Sequence, residues 1–157
     1  FLTSYFLIRY WLYNKDIINF FNQNYKNIKK IIFFGIASAI ALTIHSIFLG
    51  IKFDNDLYKL FRRVILLSFI IFEVTAQFYL VITIYSLKKK ISTFISEKIL
   101  KAKLILVSLL IIVAIISIPI ISVPGNTFIK HALEWDYFLG VIAFYLLTFF
   151  MWKNKKN

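Results

Sequence analysis

The sequence predicts an all-α fold, a multi-pass transmembrane helical bundle with four full spans and a partial amino-terminal helix, and three observations predict it. Hydrophobic residues make up 61% of the 157 residues and the mean hydropathy is +0.80, more apolar surface than a soluble domain of this size can cover. Four apolar runs, residues 31–50, 64–87, 104–123 and 128–152, approach or exceed the roughly twenty residues that a helix needs to cross about 30 Å of hydrocarbon. The lysines crowd the connections between these runs. One transmembrane domain over residues 1–157 is the expected organisation, without internal repeat or low-complexity linker.

The chain opens on an apolar segment, residues 1–13, too short to span. Arg9, Trp11 and Tyr13 toward its end have the snorkelling and aromatic-belt chemistry of a helix reaching an interface. The preferred reading is the last part of a spanning helix whose beginning is missing, and the alternative is an interfacial helix. A cleaved signal peptide is disfavoured, because no small-residue cleavage site follows the apolar run. Between this segment and the first span, Ile17, Phe21, Tyr25 and Ile28 recur at helical spacing, as do Ile91, Phe94, Ile95 and Ile99 between the second and third spans. Such segments either lie flat on the inner leaflet, with lysines among anionic headgroups, or extend the neighbouring helices.

The span 31–50 is the packing helix, since Gly35, Ala39, Thr43, Ser46 and Gly50 recur three or four residues apart and small residues allow close helix approach. The span 64–87 carries Glu73 in an otherwise apolar or mildly polar run. An intramembrane carboxylate is costly unless partnered, which makes it the first place to look for a function. Gln77 shares its face one turn on. The span 128–152 follows the Pro124-Gly125 turn and opens on Lys130, His131, Glu134, Trp135 and Asp136.

Basic residues orient the bundle, because Lys and Arg in short loops mark the cytoplasmic side. Lys15, Lys26, Lys29 and Lys30 precede the first span. Lys88, Lys89, Lys90, Lys98, Lys101 and Lys103 lie between the second and third, and Lys153, Lys155 and Lys156 end the chain. The opposite connections hold Lys52, Lys59, Arg62, Arg63 and Lys130 against Asp54, Asp56, Glu134 and Asp136, so that side is nearly neutral. The first span then runs outward and the carboxyl terminus is cytoplasmic. The net charge of +12 is a topology signal and a signal for anionic inner-leaflet lipids. It does not indicate nucleic-acid binding, for which there is no soluble domain.

At 1.5 Å per residue, His45 stands about 7 Å below the outer end and Glu73 about 14 Å below it. If the first, second and fourth spans are neighbours, His45, Glu73, Gln77, His131 and Glu134 form a polar centre in the outer half of the bundle. The sharp reading is a cavity that binds a headgroup, proton or ion. The plain one is a set of structural contacts, Glu73 with His45 or an arginine and Glu134 with Lys130.

Catalysis has little to stand on. Two histidines, no cysteine, and no HExxH, serine–histidine pair or phosphate loop leave no catalytic residue to name, no metal site and no cofactor. Enzymatic function is disfavoured on that ground.

The segment His131-Ala132-Leu133-Glu134-Trp135-Asp136-Tyr137-Phe138, followed by Ala143-Phe144-Tyr145-Leu146-Leu147-Thr148-Phe149-Phe150, resembles the final span of the damage-regulated autophagy modulator (DRAM) family and its relatives in GPI-anchor lipid remodelling. There a Glu-Trp pair opens a helix ending in a similar aromatic and Leu-Thr-Phe run. Ala76-Gln77-Phe78, Tyr85-Ser86-Leu87-Lys88 and the stretch from Gly35 to His45 are looser echoes of the family's middle helices. The resemblance implies six spans, of which this chain would match the last four and the end of the second. It implies no catalytic residues beyond Glu134 and Trp135 as motif positions. The Phe- and Lys-rich composition and Asp136 depart from the family. The function expected from residues and resemblance together is a lipid-associated or structural and regulatory membrane component. One alternative is a small transporter or channel-like subunit using Glu73. The other is an accessory subunit that associates with further membrane subunits or with its own copies.

Overall fold

The computed structural model describes residues 2–21, 27–51, 55–122 and 127–152; at helical positions 118, 120–122, 127, 130, 131 and 134 the backbone alone is described. All of it is helical apart from turns and one isolated bridge between Ile95 and Trp152. The chain divides into two compact units, Phe1–Leu80 and Val81–Asn157.

The first unit begins with α1, Leu2–Phe21, which continues past the end at Tyr13 that the apolar run suggested. Its buried residues are Ser4, Leu7, Trp11, Asn14 and Ile18, alternately three and four apart, so one stripe faces inward over about four turns. Arg9, Lys15 and Asp16, which interrupt the apolar run, all fall on the exposed side, and Asn14 Nδ2 donates to Tyr10 O at 2.8 Å within the helix. The extension of residues 17–21 is thus a continuation of the preceding helix.

Helix α2, Ile28–Leu49, packs against α1 and buries Ile28, Ile31, Gly35 and Ser38, again three or four apart. The contact is closest at Gly35, where a Cβ would fall 2.4 Å from Trp11 Cγ. Only a glycine lets the indole lie on the backbone there. Ala39 is fully buried beside it, whereas Thr43 is half-buried and Ser46 and Gly50 are exposed, so the small-residue stripe is a close contact in its first half only.

Helix α3, Asp56–Ser86, is 31 residues long, about 46 Å at 1.5 Å per residue, and so exceeds the hydrocarbon thickness. Asn55 caps it, with Oδ1 accepting from the Leu57 N–H at 3.0 Å. The Tyr58 hydroxyl donates to Ile51 O at 2.8 Å and also reaches Phe48 O, tying the start of α3 to the end of α2. Further along, the Phe34 ring meets Phe72 at 6.1 Å and stacks on Tyr79 at 6.2 Å.

The second unit holds the end of α3, the single turn α4 (Lys88–Ile91), α5 (Glu97–Ser122) and α6 (Thr127–Met151). The inward stripe of α5 is Leu100, Lys103, Val107 and Leu110; that of α6 is Tyr137, Val141, Phe144 and Met151. The two helices pack on each other, with Leu110 Cδ2 lying 2.4 Å from where a Gly140 Cβ would be. Between α4 and α5 the chain bends. Ile91 and Ile95 are buried, Phe94 is exposed, and the Ser96 N–H donates to Met151 O at 2.9 Å. Residues 92–96 therefore form a turn fastened to the end of α6, and Ile91, Phe94, Ile95 and Ile99 do not lie on one continuous amphipathic helix.

Three helical stretches are long and apolar enough to cross a membrane: Ile28–Leu49, Asp56–Ser86 and Glu97–Ser117. The expected fourth span coincides with α6, whose described apolar stretch Trp135–Met151 is about 26 Å long by the same rise.

Candidate functional site

Among the described residues, each unit buries a polar cluster that joins two helices. In the first, α3 carries Glu73 and Gln77 one turn apart on the inward stripe that continues through Leu80, so the helical period that buries Leu80 buries them as well. Both side chains are fully buried. Gln77 Nε2 donates to Glu73 Oε1 at 3.0 Å. From α2, Ser38 Oγ stands 2.7 Å from Glu73 Oε2 and 2.8 Å from Gly35 O of its own helix. Ser38 thereby joins the carboxyl to α2 at hydrogen-bond distance. Gln77 Oε1 is buried and has no hydrogen-bond partner.

Of the five residues expected to form one polar centre, Glu73 and Gln77 come together. His45 is half-buried and lies two turns beyond Ser38, about 10 Å along the axis of α2. His131 and Glu134 belong to the second unit, on the first turns of α6, and their side chains lie outside the described residues. Ser38 escaped notice in the sequence because serine in a membrane helix commonly bonds to its own backbone. The signal that could have found it is the stripe Ile28, Ile31, Gly35, Ser38.

The second cluster was not anticipated. Lys103, counted above among the cytoplasmic lysines, is fully buried between α5 and α6. Its Nζ donates to Thr148 Oγ1 at 2.6 Å and sits 3.9 Å from the centroid of the Phe144 ring. Thr148 in turn donates to Phe144 O at 3.0 Å, so its single proton goes to the backbone and its lone pairs receive the lysine. A hydroxyl and an aromatic face meet this buried amine. Around it, Lys89, Lys90, Lys98 and Lys101 are exposed, and Lys88 lies 4.8 Å from the Tyr85 ring centroid.

A carboxyl held by a hydroxyl and an amide can hold a proton or a cation, and an amine on a threonine can fix two helices together. Among the described residues no three His, Asp or Glu side chains gather as metal ligands would. No family model, no curated protein and no solved structure matches the chain.

Proposed function

We propose that this chain is a multi-pass integral membrane protein acting as a lipid-associated or structural and regulatory component, with four spans and a cytoplasmic carboxyl terminus. The observation that carries this reading is the use made of Glu73. Its carboxyl is fully buried and hydrogen-bonded with Ser38 of α2 and Gln77 of α3, as suits a residue that holds two helices in register. Anionic inner-leaflet lipids are the partners that the exposed lysines around α4 would attract, and the exposed Phe33, Ile40, Leu139 and Phe149 suit a lipid-facing surface. The Glu134-Trp135 motif supports placing the chain near the DRAM-like proteins.

One observation favours the transporter alternative: Gln77 Oε1, an unsatisfied acceptor beside a carboxyl, is the kind of group a passing cation would use. The two readings separate in liposomes. With an imposed ion gradient and a pH-sensitive dye, wild type and Glu73→Gln are both silent if Glu73 is structural; a flux abolished in Glu73→Gln establishes transport. For orientation, cysteines at Ser92 and Asn157 should be labelled from the cytoplasm and one at Asn55 from outside. Labelling of Asn55 and Ser92 from the same side ends the four-span proposal.

A further inference from the structure

We propose that the turn joining α4 to α5 docks one polyanionic lipid headgroup, held by Lys89, Lys90, Lys98 and Lys101. In the single turn α4, Leu87 and Ile91 are buried four residues apart, so the helical period turns Lys89 and Lys90 outward, and both are exposed. At the start of α5 the stripe of Leu100, Lys103 and Val107 faces inward, which leaves Lys98 and Lys101, three apart, together on the exposed side. Lys88 adds its charge at the edge, 4.8 Å from the Tyr85 ring centroid. Across residues 85–101 a single acid, Glu97, stands against five lysines.

These charges are mounted on a fixed frame. Leu87, Ile91, Ile95 and Leu100 are all buried. The Phe94 N–H donates to Ile91 O at 2.8 Å, and the Ser96 N–H donates to Met151 O at 2.9 Å, beside the bridge between Ile95 and Trp152. A ligand that settles on such a turn has no loop to order first, which removes one of the costs of binding.

Two observations select a lipid over a soluble anion. Tyr85, Phe94 and Trp152 are 40%, 44% and 36% exposed in the same unit, and aromatic rings among lysines are the chemistry of a membrane interface. Lys98 and Lys101 also stand in the first two turns of an apolar helix long enough to cross a membrane, Glu97–Ser117, where headgroups lie. Charge complementarity then selects the headgroup. A zwitterionic one gains little from five lysines and one acid, whereas each lysine near an anionic surface strengthens attachment about fivefold. The inference rests on the lipid-associated reading above and narrows it to one headgroup class at one turn.

The test is native mass spectrometry of the full chain released from detergent micelles, with phosphatidylinositol bisphosphate and phosphatidylcholine of the same acyl chains as probes and circular dichroism as the check on folding. Wild type should retain one bisphosphate lipid at a concentration about tenfold below that needed for phosphatidylcholine. Lys89→Gln, Lys90→Gln and Lys98→Gln together should abolish that preference. Lys15→Gln, Lys29→Gln and Lys30→Gln together, which remove the same charge from exposed positions of the first unit, should keep it. Equal losses in the two triple variants overturn the proposal, because net charge and not this turn would then attract the lipid. A wild type without preference overturns it too, as does complete displacement of the lipid by an equal concentration of soluble inositol phosphate. Micelles have no sidedness and carry no gradient, so a failure here is distinct from the outcomes of the labelling and flux experiments.

Discussion

The two units bury opposite groups by the same means. Unit 1 encloses an acid and unit 2 an amine, and each meets a hydroxyl from the facing helix: Ser38 for Glu73, which also bonds to Gln77 of its own helix, and Thr148 for Lys103, which also lies on the Phe144 ring. Lys59 and Asp56 form an ion pair at the surface. The units differ in how their helices approach. In the first, a rigid indole lies on Gly35; in the second, the end of a leucine lies on Gly140. In these two clusters the buried acid and the buried amine are each hydrogen-bonded, while closeness of packing depends on what sits over the glycine.

That difference gives the strongest prediction. In Gly35→Ala the new methyl lands within 2.7 Å of three atoms of the Trp11 ring, which is fully buried and has nowhere to turn, so α1 and α2 must separate. Overpacking of this kind typically costs about 1–3 kcal/mol. In Gly140→Ala the nearest atom is Leu110 Cδ2, a flexible end that can rotate away, and alanine favours the helix by about 1 kcal/mol. Gly35→Ala should therefore melt clearly earlier in detergent and Gly140→Ala close to wild type. Equal losses would mean that the two contacts are alike. Ala39→Leu, at a fully buried position, should follow Gly35→Ala, whereas Ile40→Leu, on the exposed neighbour, should not.

The second prediction concerns the amine. Thr148→Val removes the hydroxyl that accepts from Lys103 and leaves a buried donor without it, a loss of about 1–3 kcal/mol. Lys103→Met removes the need for the acceptor and keeps an unbranched chain over Phe144, and replacing a buried charge by an apolar group of similar shape is often neutral or stabilising. Thr148→Val should thus melt earlier than Lys103→Met, and the double variant should recover most of the loss. A double variant as unstable as Thr148→Val would show that the threonine acts without the lysine.

What the sequence made legible follows from its periodicity. Helices α2 and α3 were readable because their apolar runs are uninterrupted, and Glu73 with Gln77 because two polar residues one turn apart stand out in such a run. The end of α1 was not, since Arg9, Asn14, Lys15 and Asp16 break the run; counting the spacing of Ser4, Leu7, Trp11, Asn14 and Ile18 instead of the density of apolar residues would have carried the helix on to Phe21. Lys103 was hidden by its neighbours. It ends a lysine-rich stretch and reads as one more surface charge, although it falls three residues after Leu100 and four before Val107, on the inward stripe of α5. Periodicity places a side chain on a face but does not name its partner, so neither Ser38 opposite Glu73 nor Thr148 opposite Lys103 could be read from one strand of sequence.

The smallest effect should come from the surface pair, which sets the scale for both interiors. Lys59 Nζ lies 3.1 Å from Asp56 Oδ1, with side chains 57% and 97% exposed. Water and salt screen a pair so placed, and exposed pairs at this helical spacing contribute about 0–1 kcal/mol. Asp56 also stands in the first turn of α3, where a negative charge meets the positive end of the helix dipole, again a few tenths of a kcal/mol to about 1 kcal/mol at low salt. Asp56→Asn should therefore lower the melting temperature slightly in dilute buffer, and the difference should fade as salt is added, because both contributions are screened. Thr148→Val should keep its deficit at every salt concentration, since the contact it breaks is fully buried on the lysine side. A salt-insensitive loss in Asp56→Asn would place that carboxylate among the buried contacts, and a salt-sensitive loss in Thr148→Val would open the Lys103 site to water.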